Sequence, residues 1–347
     1  IVIIVLLRIL FCIRTLRFFL CPDHGREESI MSTESLFPSI VIASILGFSP
    51  LPGWSHPQQN VSVARKGQSG PTVCSPETLR RADAIVQSLK GRVGIAVELD
   101  DQLLYSHLSG EAFPMQSVFK FPLALAVLNL VDQGSMKLDD PILVSPDEIH
   151  SNTWSPMREK YPQGGTIPLK ELIRYSVAES DNNACDILFR LVGGVESVQN
   201  YLRNKGIADI RICSTEEEMH RDNKLQYANS STPLAMNILF RSWNSGKMLG
   251  KESTRFLKDV LEQTVTGAGR LKGKLPKETV VAHKTGTSDI SPEGVVSALN
   301  DAGVIRLSEG GNLFISIFVS DCKEDPKEIE HAMAELAFLF YRELSRS

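Results

Sequence analysis

The segment Ser117-Val118-Phe119-Lys120 places a hydroxyl and an amine three residues apart at the start of a long apolar run. On a helix, side chains at i and i+3 share a face, so the two groups can meet. Serine is a weak nucleophile at its own pKa and needs a nearby base. A lysine held in an apolar site can have its pKa lowered enough to serve, and that is the expectation for Lys120. A helix start also offers free backbone N–H groups and positive dipole character to a developing oxyanion. The same spacing recurs in Ser320-Asp321-Cys322-Lys323, but that copy follows a strand and opens no apolar helix. It reads as chance.

Two further fragments carry polar groups at places a cleft could use. Ser180-Asp181-Asn182 lies between two helical patterns, where a short loop can present a hydroxyl and an amide. Ser, Asp and Asn are also favoured helix caps, so the tripeptide alone has an ordinary structural reading. Lys284-Thr285-Gly286-Thr287 ends the strand pattern Val280 to His283, and Gly286 would let another backbone approach closely. By itself this is a strand running into a turn.

The elements that must position these groups follow from periodicity. Ser75-Pro76-Glu77 supplies an N-cap, a proline at the first helical position and an acid in the first turn, and apolar residues recur at helical spacing until Gly91. Val93 to Leu99 alternate, Asp100-Asp101 can turn, and Leu103 to Ser106 return as a hairpin. From Ser117 to Gln133 the run is apolar on nearly all sides and stops at Gly134, which predicts a deeply buried helix. Helical patterns follow at 169–179, 184–192, 195–205, 232–244 and 252–265. Between Cys213 and Ser230 the chain is polar, acidic at Glu216-Glu217-Glu218 and without helical periodicity, which reads as a long loop.

Strand patterns return at 279–284, 298–305 and 313–319, and a helix from Pro326 to Leu344 closes the chain. Two strands near the start and three near the finish, each group flanked by a terminal helix, predict an α+β fold. It is a three-layer α/β/α sandwich around an antiparallel five-stranded sheet, with an all-helical insertion. The α/β part is discontinuous, 75–115 and 266–347, with the all-α part at 116–265 and a cleft between them.

Composition narrows the functional classes. Lys and Arg total 37 against 41 Asp and Glu, a balance of -4 with no basic stripe, which argues against a nucleic-acid partner. Six scattered cysteines form no CxxC pair, so free thiols are expected, with one bridge left open. Seven histidines form no HxxxH or HxH set, so neither metal nor cofactor is expected. Residues 1–20 are apolar but broken by Arg8, Arg14 and Arg17, each costing roughly 2.5–3.5 kcal/mol near a bilayer centre. Met31 precedes a second apolar run, Leu36 to Phe48, of signal-sequence length. Residues 1–30 then read as an upstream segment, 31–58 as an export signal without stable membrane insertion after processing, with an uncleaved anchor as the other reading, and Pro50 to Pro71 as a linker or processed leader. A periplasmic or secreted monomer is the expectation.

Taken in order, Ser-x-x-Lys, Ser-Asp-Asn and Lys-Thr-Gly form the motif triple of the penicillin-recognising serine acyltransferases. From about residue 75 to 345 the chain resembles a class A serine β-lactamase, with the β-lactamase/transpeptidase-like fold that this implies. The resemblance implies a small-molecule β-lactam substrate, attacked by Ser117 with Lys120 as the adjacent proton acceptor. The backbone N–H groups of Ser117 and Thr287 would form the oxyanion hole. Ser180 would protonate the departing nitrogen, Asn182 would hold the substrate's side-chain amide, and Lys284, Thr285 and Thr287, with Gly286 between them, would bind its carboxylate. Arg270 would lend charge behind that carboxylate, with a solvated basic turn as the other reading. Trp154 would stand at the cleft mouth, unless it belongs to a satellite core. Glu216, at the family's separation from Ser180, would activate the deacylating water, with Glu217 and Glu218 as register competitors, and the resemblance leaves either Lys120 or Glu216 as the acceptor of the Ser117 proton during acylation.

The departures from the common class A pattern lie in the loop. Ser214, His220 and Asn229 stand where the family usually has an Arg, an Asn and an Asp, so the usual salt bridge is absent and His220 would orient the water. With Gln116 before the nucleophile, this pattern is similar to the PER-like extended-spectrum branch and implies a cleft that admits bulky oxyimino-cephalosporins. No cysteine adjoins Ser117, so the disulfide of class A carbapenemases has no place to form there. The rival readings are a penicillin-binding DD-peptidase, which lacks a deacylating carboxylate, and a β-lactam sensor domain, which acylates once.

Overall fold

The computed structural model describes residues 74–345. The expectations for residues 1–30, the export signal at 31–58, the Pro50 to Pro71 linker, and Cys12 and Cys21 lie outside the described residues.

Helix α1 (Pro76–Ser88) starts where the sequence signals it: Ser75 Oγ accepts the Thr78 N–H at 3.2 Å, and Ala82 and Val86 turn inward. Strand β1 (Arg92–Leu99) is buried at six successive positions, Val93 to Glu98, so both of its faces are covered, and β2 (Gln102–His107) returns beside it. Next comes a 3-10 turn, Gln116–Phe119, leading into α2 (Lys120–Asp132). The apolar spacing predicts one helix from Ser117. The structure tightens its entry into i→i+3 geometry, in which residues three apart eclipse, so Ser117 and Lys120 come to one side.

The helical layer continues with α3 (Leu169–Ala178), α4 (Asn182–Val192) and α5 (Val195–Asn204). The segment expected to be a long loop instead contains α6 (Glu216–Arg221) and a 3-10 turn, Asn223–Tyr227. The physical reason is a capping box rather than apolar periodicity: Thr215 Oγ1 accepts the Glu218 N–H at 3.2 Å, and Glu218 Oε2 accepts the Thr215 N–H at 2.9 Å. Helices α7 (Pro233–Asn244) and α8 (Lys251–Glu262) complete this layer.

The chain then returns through β3 (Val281–Thr287), β4 (Val296–Arg306) and β5 (Asn312–Cys322) to α9 (Pro326–Leu344). The sheet is antiparallel throughout, in the order β2-β1-β5-β4-β3. Ile95 lies opposite Ile317, so strands from the two ends of the described chain meet at the sheet centre. One core joins Val86 of α1 and Leu336 and Phe340 of α9 to Ile317 and Val319. On the other face, Ala302, Phe314 and Phe318 join Phe121 of α2 and Phe240 of α7. The two terminal helices, the sheet and the helical layer thus make the three layers. No helix among the described residues is long and apolar enough to cross a membrane.

Candidate active site

Ser117 sits in the 3-10 turn, where its Oγ donates to Glu216 Oε1 at 3.3 Å. Lys120 Nζ lies 2.8 Å from the same carboxylate oxygen and donates to the Ser180 carbonyl at 2.8 Å and to Asn182 Oδ1 at 2.5 Å. Lys284 Nζ, from β3, donates to Ser180 Oγ at 2.9 Å and to the Thr285 carbonyl at 3.0 Å. Elements far apart in sequence therefore bring Ser117, Lys120, Ser180, Asn182, Glu216 and Lys284 to one place.

The Ser-Asp-Asn turn serves both of its readings at once. Asp181 caps α4, its Oδ1 accepting the Ala184 N–H at 2.8 Å, while its Oδ2 accepts from the Met157 N–H and Ser155 Oγ. Ser180 is held at φ +59°, a conformation costing about 1–3 kcal/mol outside glycine. In it the carbonyl reaches Lys120 and the hydroxyl reaches Lys284. Gln116, just before Ser117, has a similar backbone, φ +47°. Gly286 is required by contact: a Cβ there would lie 2.2 Å from the Met115 carbonyl oxygen, so only glycine lets β3 lie against the turn that carries Ser117.

Three acidic residues begin α6, and their side chains diverge. Glu218 is spent on the capping box. Glu217 pairs with Arg221 and stands 4.0 Å from His150 Nε2. Only Glu216, with a side chain 12% exposed, turns to Ser117 and Lys120. Its backbone is fixed by a residue that sequence reasoning missed: Asp186 accepts the Glu216 N–H at 2.9 Å and the Glu217 N–H at 2.8 Å. The available signal was a carboxylate four residues after Asn182, on the same face of an otherwise inward-facing helix. Thr153 was missed too; its Oγ1 accepts from Asn182 Nδ2 at 2.7 Å.

The loop closes without a salt bridge. Asn229, fully buried, accepts the Cys213 and Ser214 N–H groups through Oδ1 at 2.7 and 3.0 Å and returns a bond from Nδ2 to the Ser214 carbonyl at 2.8 Å. Its own carbonyl accepts the Met115 N–H, which ties the loop to the segment entering Ser117. His220, exposed on α6, lines a concavity together with Glu216, Asn182, Asp186 and His150. Trp154 is 62% exposed, so it does not belong to a satellite core; its indole N–H donates to the Glu179 carbonyl beside this concavity. Arg270 is 4% exposed rather than solvated. It donates to the Gly286 and Asn300 carbonyls and to Thr287 Oγ1 at 2.7 Å, and its Nε pairs with Glu330. The described cysteines, Cys74, Cys185, Cys213 and Cys322, are all free thiols.

The electrostatics correct one expectation. Burial works to lower the Lys120 pKa, but the Glu216 carboxylate beside it, with Cys185 and Asp181 nearby, outweighs burial and raises it. The countercharge comes from the segment that carries Glu216, outside the apolar helix. Lys284 is the lysine whose pKa falls well below normal, through burial and then the positive charge of Lys120, against the pull of Glu216 and Asp301. Burial also pushes the Asp186 carboxyl up to about 7, against its backbone hydrogen bonds and with Glu216 adding to the rise.

The model of the "Beta-lactamase enzyme family" matches residues 78–344. "Beta-lactamase VEB-1" of Pseudomonas aeruginosa is 41% identical over 260 residues, 74% of this chain and 87% of that protein. "Extended-spectrum beta-lactamase PER-1" of the same organism is 38% identical over 271 residues, 77% and 87% respectively. The crystal structure of a class A β-lactamase from Bacteroides cellulosilyticus superposes with a TM-score of 0.76 at 36% identity, covering 78% of this chain and 98% of that one.

Proposed function

The chain belongs to the class A β-lactamases, enzymes that hydrolyse β-lactams, and on that premise we propose the roles its residues play. The observation that carries the reading is that one oxygen, Glu216 Oε1, faces both Ser117 Oγ and Lys120 Nζ. Ser117 Oγ attacks the lactam carbonyl carbon and its proton passes to Glu216, while Lys120, held as an ammonium by that carboxylate, steadies the developing charge. The backbone N–H groups of Ser117 and Thr287 receive the oxyanion. Ser180, with Lys284 behind it, hands a proton to the ring nitrogen as the C–N bond breaks, and the proton on Glu216 passes on through Lys120 to Ser180, which restores the Ser180 hydroxyl and leaves Glu216 a carboxylate again. Glu216 then takes a proton from water, the hydroxide adds to the ester carbonyl, and Ser117 leaves with its proton restored.

Lys284, Thr285 and Thr287 hold the substrate carboxylate with Arg270 behind them, and Asn182 holds the side-chain amide. His220 and Trp154 border the space for the acyl substituent, with His220 directing the water. Residues 31–58 direct export, and the enzyme acts as a monomer in the periplasm or outside a bacterial cell. The substrate range extends to oxyimino-cephalosporins. What supports this is the likeness to PER-1, itself named an extended-spectrum enzyme, and a loop closed by an amide in place of an ion pair.

Nitrocefin tests the reading: many product molecules per protein are expected, and a single stoichiometric burst overturns it. Cefotaxime and ceftazidime test the range. Hydrolysis of benzylpenicillin with both cephalosporins left intact removes the extended-spectrum part.

A further inference from the structure

Behind the face that carries Lys284 lies a buried pair that the mechanism above does not use. His283 and Asp301 are both fully buried, and His283 Nδ1 stands 2.8 and 3.0 Å from the two carboxylate oxygens. His283 directly precedes Lys284 on β3 and points to the opposite face of the sheet, as successive residues of a strand must. Its ring has room because the residue across from it in the β3–β4 register is Gly303, where a Cβ would lie 2.6 Å from the His283 Cβ. Asp301 lies on β4 opposite Thr285.

Asp301 has a second partner outside the sheet. Its Oδ2 accepts the Leu271 N–H at 3.2 Å, the backbone group that follows Arg270. Arg270 in turn reaches over the end of β3 to the Gly286 carbonyl and Thr287 Oγ1. One carboxylate thus ties together β3, which bears Lys284, Thr285 and Thr287, and the turn that bears Arg270. It also contributes negative charge to Lys284 and to Lys272, both otherwise depressed by burial. A buried carboxylate is retained only with hydrogen bonds that satisfy it, and the His283 Nδ1–H and the Leu271 N–H are those bonds.

We propose that His283 and Asp301 are positioning residues for β-lactam binding: Asp301 fixes the Arg270 turn against β3, and His283 aims Asp301. Neither touches substrate. The inference rests on the proposed reading of Lys284, Thr287 and Arg270 as the carboxylate-binding face. A device that aligns this face acts on substrate capture, whereas Glu216 is fixed by Asp186 of α4, which has no hydrogen bond to His283 or Asp301.

The test compares four variants with nitrocefin and cephalothin, with thermal unfolding as the check on folding. Asp301→Asn and His283→Leu are expected to raise KM roughly tenfold, the scale of one lost hydrogen bond to a charged group, with kcat within about twofold. His283→Asn keeps a donor at the position of Nδ1 and is expected to restore most of the loss, which a merely space-filling histidine would not show. Arg270→Ala provides the reference and is expected to raise KM as well. If Arg270→Ala raises KM while folded His283→Leu leaves it unchanged, the pair is inert and the inference fails with the site reading intact. If Arg270→Ala also leaves KM unchanged, the reading of the carboxylate face fails and takes the inference with it. A fall in kcat at constant KM in the His283 variants overturns the inference too. Should Asp301→Asn not fold, the two His283 variants decide the matter.

Discussion

Asp186 holds Glu216 by the backbone: its Oδ1 accepts the Glu216 N–H at 2.9 Å while Oδ2 takes the Glu217 N–H at 2.8 Å, so α6 begins on a half-buried carboxylate of α4. This sets where the Glu216 side chain starts, and the acid that does it titrates near neutrality. Burial raises its pKa to about 7. Above that value both oxygens accept. Below it one oxygen carries a proton and accepts from an N–H only weakly. Turnover of nitrocefin is therefore expected to fall as pH drops through about 7, and this limb should be absent in Asp186→Asn. Stability runs the other way. A carboxyl whose folded value is raised binds its proton more tightly when folded, so its contribution declines from about pH 4 to about pH 7. Urea unfolding across that range in both proteins measures it.

Glu216 and Glu218 are expected to separate cleanly. Glu216→Gln should still be acylated but release product at least 100-fold more slowly, the scale of a lost general base, so acyl-enzyme accumulates in mass spectra. Glu218→Ala should clear its acyl group normally and lose about 1 kcal/mol from the capping box. Accumulation in the Glu218 variant instead would assign the wrong carboxylate.

Asn229→Ala removes the buried amide that closes the loop between Cys213 and Asn229. Two N–H groups and one carbonyl lose their partner, an expected cost of about 2–4 kcal/mol. Chemical denaturation should show it, and limited proteolysis should cut first between residues 213 and 229. A variant as stable and as protease-resistant as the parent would show that the loop is held elsewhere.

Gly286→Ala sets a methyl group 2.2 Å from the Met115 carbonyl oxygen, and that oxygen belongs to backbone. Either β3 or the turn carrying Ser117 must move. Loss of more than 100-fold in kcat/KM is expected, from a displacement of the order of 1 Å at the reacting groups. Nitrocefin kinetics on the folded variant check this.

The parts of the molecule legible from sequence are those governed by short-range rules. The Ser75 cap, the apolar run of α2, the strand patterns and each short motif taken singly depend on neighbours within a few residues, and they led to the sheet, its flanking helices and the residues around Ser117. The short helix α6 escaped because its cause is a capping box and a carboxylate from another helix, neither of which produces apolar periodicity.

Electrostatics was the other blind spot. From sequence, Lys120 is an amine in an apolar helix and its pKa should fall. In the fold, Glu216 arrives from a loop far along the chain, and the sign reverses. Lys284 meets the opposite fate because Lys120 and Arg270 add to its burial. Residue types and spacing determined which groups this protein possesses and which backbone elements carry them. Their distances, partners and proton affinities were decided only by tertiary packing, because Coulomb and desolvation energies depend on separation in space and carry no trace of separation along the chain.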